Sequence, residues 1–436
     1  MSFGLLPSLT ERDDDQRGEG GIDPLNFAPI SEHIARTILP GLTERQSHPR
    51  YLTALAVGTA LCEEVFSDGD VAGDGHTPPY LVFEWLALEG FVRRGQRDSL
   101  SGIPGYTKAL SAVETKLRLN AETYLKTPGT FGFFGIYRVL AKTLGVERDG
   151  VVGDAGRRLL SVWEKERDLR GFIPGSTGSG ADLRRTICEG LRDSFKSGKA
   201  TPGNQWPGWQ FFVDHLHYAN GGANERRLLL ETLLEDVHGS RNEVMSFHQR
   251  KDARELWKSK ESERQIHDVM IKSASLQLKQ ALVAIQAYET FARSLLDAFQ
   301  DALAAMTKTA RKTSLAEMIT QEPGITESKK IAQEVFRPTE EALVPFGKAG
   351  DFANIFSWVL DFKDPKDWLG GLFRHHQDNQ KRKPPAGRNP FFDELDSGLF
   401  CIRTPYKREQ GGAHDQSYVG QYRSRPIFTF LRDLAA

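Results

Sequence analysis

The chain has 436 residues, 39% of them hydrophobic and 26% charged, and its 57 Lys and Arg against 58 Asp and Glu leave a formal net charge of -1. This composition excludes a mainly disordered chain and a globally basic one, so any attraction for a polyanion has to be local. No run of about 18 apolar residues occurs, which excludes a membrane-spanning helix, and Cys62, Cys188 and Cys401 are too few and too scattered for a disulfide framework or a cysteine zinc site.

The first 22 residues are rich in Gly and Asp, without periodicity, and are expected to form a flexible arm. They lack the basic and long apolar regions of a secretory leader, so the expected location is the cytoplasm of a bacterial-type cell. Residues 23–174 read as a helical domain. Tyr51 to Phe66 is too uniformly apolar for a surface helix and should be buried on most sides, and Val82, Phe83, Leu86, Phe91 and Val92 repeat that pattern before Gly95. Glu63, Glu64, Glu84 and Glu89 interrupt these apolar helices, with Arg50, Arg93 and Arg94 as available ion-pair partners. Within residues 130–167, a helix through Tyr137 to Leu144 ends at Gly145, Val151-Val152 stand between glycines, and Leu159, Leu160 and Trp163 mark another helix. Helix, ribbon, helix is the layout of a winged helix-turn-helix module, although plain helical packing gives the same order more often.

GSTGSGAD, residues 175–182, has the composition of a linker. A second helical domain should span residues 183–350. Its main feature is the absence of Gly and Pro from Ser240 to Glu322, which suggests one long helix over about residues 252–308. There Ile271, Leu278, Leu282, Ile285, Ala292, Leu296, Phe299, Leu303 and Met306 alternate in steps of four and three, a heptad-like seam for the chain's own core or for a homodimer. Residues 351–436 turn basic and aromatic, with short strands expected at Leu399 to Ile402 and Tyr418 to Tyr422 and a closing helix from Pro426 to Leu434. The expected fold class is therefore mostly α: a multidomain helical protein with a small α+β C-terminal region.

Two stretches carry residues suited to binding or chemistry. In RHHQDNQKRKPPAGRNPFF, Arg374, Lys381, Arg382, Lys383 and Arg388 stand against one acidic residue, Asp378, and Arg403, Lys407 and Arg408 continue the basic character. Such cations neutralise phosphates, His375 and His376 add charge below neutrality, and Pro384-Pro385 should hold the backbone extended. The alternative is a solvated loop. In FFVDHLHYANGG, Asp214, His215 and His217 are close enough in sequence to form a general base or a ligand pair, although His215 and His217 share a face only in a strand. No phosphate-binding loop, histidine metal motif or cofactor motif is present, so no cofactor and no metal are expected.

LPGLTERQSHPRYLTAL, GIPGY, FGIYRVLAKTLGV, HHQDNQKRKPPAGRNPFF, IRTPYK and YRSRPIFTFLRDL together resemble an uncharacterised bacterial family of unknown function found in anti-phage defence loci beside helicases and nucleases. The resemblance implies work on phage DNA and co-encoded helicase or nuclease partners, and supplies no catalytic residues. Joined to the basic segment, it gives the expectation of a DNA-binding defence component that needs no membrane. The alternatives are a DNA-processing enzyme, either a nuclease or a base-excising glycosylase centred on Asp214, His215 and His217, and a helical scaffold.

Overall fold

The computed structural model describes residues 23–95, 102–173, 177–235, 239–258, 262–309, 312–384, 386–395 and 398–435. Among the described residues helix accounts for 65% and strand for 4%, and no helix is long and apolar enough to cross a membrane. The expected N-terminal arm, with Gly175 and Ser176 of the expected linker, lies outside the described residues.

The chain divides into two compact units, each built from separate stretches of sequence. One combines Ala35–Glu261 with Tyr422–Ala436, the other Met1–Ile34 with Ser262–Gln421. The sequence reading places its boundaries at residues 175–182 and 350. Ser179 to Asp182 form the first turn of a helix, and the aromatic C-terminal stretch contributes to both units.

The boundary between the units falls within α1 (Ala28–Ile38). The unit that follows holds α2 (Tyr51–Val65), α3 (Pro79–Arg94), α4 (Tyr106–Glu114), α5 (Pro128–Phe131), α6 (Phe133–Thr143), β1 (Glu147–Arg148), β2 (Val151–Val152), α7 (Asp154–Glu166), α8 (Ser179–Ser197), α9 (Gly208–Phe211), α10 (Ala223–Leu234), α11 (Arg241–Gln249) and α12 (Lys251–Lys258). As its sequence requires, α2 is buried from Tyr51 through Thr59, and α3 from Leu81 through Phe91. Gly58 lets α2 approach α3: a Cβ there would lie 2.5 Å from the Phe83 ring.

The interrupting carboxylates are satisfied in different ways. Glu89 takes Arg93 at 2.7 Å, Arg118 at 2.9 Å and the Leu119 amide at 2.9 Å. Glu84 has no arginine: it accepts the Phe133 and Phe134 amides at 2.9 Å, capping α6, together with the Tyr124 hydroxyl, and burial raises its pKa to about 7. Arg50 pairs instead with Glu225 of α10, 2.9 Å away. The helix, ribbon, helix order is present as α6, the antiparallel β1–β2 pair and α7.

The other unit is organised by α14 (Leu276–Lys308), preceded by α13 (Glu263–Met270) and followed by β3 (Thr313–Ser314), α15 (Leu315–Gln321), α16 (Gly324–Ala342), α17 (Ala349–Phe356), α18 (Pro365–Arg382), β4 (Phe392–Leu395) and β5 (Leu399–Ile402). The single helix expected over residues 252–308 is thus broken. Ser262 caps α13, its backbone amide donating to Gln265 Oε1 at 2.7 Å in a capping box, and Ser275 caps α14 by accepting the Leu278 amide. Serine N-caps thus start new helices where no Gly or Pro marks a break. The seam of α14 packs inside its own unit: Leu278, Leu282, Ile285, Ala292, Phe299, Leu303 and Met306 are buried, as are Ala281, Tyr288, Phe291 and Leu295 beside them, against α16 and an aromatic cluster of Phe336, Phe352 and Phe356. The small sheet has the order β3-β5-β4, antiparallel, with Phe392 opposite Ile402 and Thr313 opposite Phe400. Strand β5 lies where the sequence placed it, whereas Tyr418 to Tyr422 form no strand. The last helix, α19 (Ser424–Ala435), belongs to the first unit and packs on α10 and α11.

Candidate functional site

The basic stretch is mostly helix. Asp364 caps α18 through the Lys366 amide at 2.7 Å, Pro365 begins it, and Leu369, Leu372, Phe373, His376 and Gln380 form a buried stripe at helical spacing. Arg374, Lys381 and Arg382 remain on the exposed face. The two histidines do not supply charge to it. His376 is fully buried, with Nδ1 2.9 Å from the Pro24 carbonyl and Nε2 3.1 Å from the Phe391 amide. A carbonyl only accepts and an amide only donates, so the proton sits on Nδ1 and the ring is neutral. Burial lowers its pKa to about 4, and burial likewise lowers that of His375, whose Nε2 donates to the Leu25 carbonyl at 2.8 Å.

Beyond Arg382 the backbone returns rather than extending. The Gly387 amide donates to the Lys383 carbonyl at 2.7 Å, and the Arg388 amide to the Gln380 carbonyl at 2.9 Å. Gly387 has φ of +84°, and a Cβ there would meet the Lys381 carbonyl at 2.9 Å, so only glycine fits this return. The effect is to bring Arg388 back to the end of α18, within electrostatic reach of Lys383. Lys381, Arg382, Lys383 and Arg388 thus form one group, with Asp378 3.5 Å from Lys381.

The other basic candidates separate from it. Arg374 lies over the Phe362 ring, Arg403 is paired with Asp393 at 2.6 Å, and Arg408 turns inward to the Gln410 carbonyl at 2.7 Å. Lys407 is exposed. Phe391 and Phe392 are core residues: Phe391 stacks on Tyr406 with ring centres 3.8 Å apart, and Phe392 packs against Phe373.

Asp214, His215 and His217 lie where α9 runs into a π-helical turn, Phe212–Leu216. The structure does not join them into one centre. Asp214 is exposed and accepts from Gln210 at 2.7 Å, the buried Nδ1 of His215 has no hydrogen-bond partner among the described residues, and His217 Nδ1 accepts the Ala219 amide at 3.3 Å. Burial lowers the pKa of His215. Their carbonyls are structural: Arg50 donates to those of both His215 and His217, and Trp163 Nε1 reaches that of His215 at 2.9 Å.

Two constellations were not anticipated. Glu289, Arg293, Asp297 and Asp301 recur every fourth residue along α14 and clasp residues 411–420. Glu289 accepts the Val419 and Gly420 amides, Arg293 donates to the Ser417 carbonyl at 3.0 Å, Asp297 accepts the Ala413 amide at 3.1 Å, and Asp301 accepts the Gly412 amide at 2.7 Å and His414 Nε2 at 2.8 Å. Their four-residue interval is visible in the sequence. The second is His48, in the other unit, whose Nδ1 is 2.5 Å from Asp433 Oδ2 while its ring stacks on Tyr218 at 3.6 Å. Its partner is 385 residues away in sequence, which leaves no local signal.

Neither the half-buried thiol of Cys62 nor the buried thiol of Cys188 is an activated nucleophile, since desolvation raises the pKa of both, that of Cys188 to about 11. Among the described residues no group of three or more His, Cys, Asp or Glu is placed to hold a metal ion. No known protein family, curated protein or solved structure matches this chain.

Proposed function

We propose that this is a DNA-binding component of bacterial anti-phage defence, which contacts DNA phosphates through Lys381, Arg382, Lys383 and Arg388. The observation that carries the reading is the return of the chain at Gly387, which gathers cations up to seven residues apart in sequence at the end of a helix anchored by His376. In an otherwise neutral protein this is a localised electrostatic footprint. The defence context rests on the family resemblance. The contact surface leaves out the β1–β2 ribbon as a DNA-binding wing, because Glu63, Glu147 and Asp149 line the cavity of about 520 Å³ beside it and would repel phosphates.

Fluorescence anisotropy with a labelled duplex tests the reading. The wild-type protein should bind, and replacement of all four cations by Ala should weaken binding similarly for unrelated DNA sequences. A folded quadruple variant that binds as tightly as wild type would overturn it.

A further inference from the structure

A cavity of about 460 Å³ opens between the start of α1 and the second half of α14, within the range of about 300–1,000 Å³ typical of small-ligand sites. Its walls are apolar, formed by Phe27, Leu296, Phe299, Leu303 and Phe391. Two hydrogen-bonding side chains line it with capacity to spare. The carboxamide of Gln300 makes no hydrogen bond to the described residues, and neither does Nη1 of Arg408, whose Nε and Nη2 are taken by the Gln410 and Gly411 carbonyls.

The charge balance argues against an anionic occupant, because the Glu32 and Asp23 carboxylates line the cavity together with Arg408. Asp301 and Asp297 offset the Arg408 guanidinium, and the Asp23 carboxylate at the edge is committed to the Phe27 and Ala28 amides at 2.6 and 2.9 Å. A phosphate would gain little inside. A planar, uncharged ring with donors and acceptors on its edge suits both the apolar walls and the Gln300–Arg408 pair, the side-chain types that form paired hydrogen bonds to purine edges. The end of α18 reaches the cavity edge, where Asn379 Nδ2 donates to the Asp23 and Pro24 carbonyls at 3.0 Å and Lys383 lies within electrostatic reach of Asp23.

We infer that this cavity takes a single unpaired nucleobase, a purine by preference, from a strand whose phosphates are held outside it by Lys383 and Arg388. The inference rests on the DNA-binding reading for how the base is delivered. Phosphate contacts would supply affinity, and the cavity would make the protein sensitive to an unstacked base.

The test compares two short single strands of equal length and charge, one of deoxyadenylate and one of abasic sugar-phosphate residues. Wild-type protein should bind the strand with bases roughly tenfold more tightly. Gln300→Trp, which fills the mouth from a half-exposed position, should erase that preference while keeping wild-type affinity for the abasic strand, which also shows that the variant is folded. Equal binding of the two strands by wild type, or an unchanged preference in Gln300→Trp, would overturn the inference and leave the phosphate reading standing. If neither strand binds, the DNA reading fails, and calorimetry with adenosine decides the cavity separately: heat in wild type that is lost in Gln300→Trp supports it, and no heat in wild type overturns it.

Discussion

His376 anchors the basic helix, and its protonation should set the acid limit of that unit's stability. In the folded chain the ring is neutral and fully buried, held between the Pro24 carbonyl and the Phe391 amide, with its pKa lowered from 6.5 to about 4. Above pH 6.5 neither folded nor unfolded chain protonates it, and its contribution is complete. As the pH falls through 6.5 the unfolded chain takes up a proton that the folded one refuses, so stability declines until the folded ring also protonates near pH 4. At about 1.4 kcal/mol per pH unit, that gap corresponds to a loss of about 3 kcal/mol. Urea unfolding of wild type and His376→Gln across this interval isolates the residue, because the contributions of His375, His267 and His215, all with lowered pKa values, are common to both. The variant should start less stable and decline less steeply, the two curves converging by about 3 kcal/mol toward pH 4. Parallel curves would refute the assignment of His376 as a neutral buried anchor.

Glu225→Gln should destabilise the unit containing α2 and α10 by roughly 3–5 kcal/mol in urea unfolding, because it leaves the buried Arg50 guanidinium without its counter-charge. Asp301→Asn should loosen residues 411–420 at a cost of about 1–3 kcal/mol, read as faster limited proteolysis within that stretch. Leu282→Asp should cost about 3 kcal/mol or more, because it places a carboxylate in the seam of α14 without a partner; an unchanged unfolding midpoint would contradict the packing described.

What the sequence revealed was what period and local chemistry encode. The burial of α2 followed from its uniform apolarity, β5 from its short apolar run, and α19 from its amphipathic run before the C-terminus. The break before α13 was encoded too, as the capping box Ser262-Glu263-Arg264-Gln265, but it was masked by the absence of Gly and Pro. The candidate site was legible only in part. Composition singled out Lys381 to Arg388, yet it could not show that His376 faces inward, that Arg403 is paired or that Arg408 turns toward the loop, since each depends on a partner brought in by the fold. The same holds for His48 with Asp433 and for Arg50 with Glu225, pairs that no local pattern connects.

The central claim is that the end of α18 neutralises phosphates, and the salt dependence of DNA affinity tests it most directly. Each cation in contact with duplex contributes about 0.9 to the slope of log affinity against log salt, so replacing Lys381, Arg382, Lys383 and Arg388 by Ala should flatten that slope by about three to four. Exchanging Lys272 and Lys330, exposed cations outside the group, should leave it nearly unchanged. A quadruple variant that stays folded and keeps the wild-type slope and affinity would contradict the account.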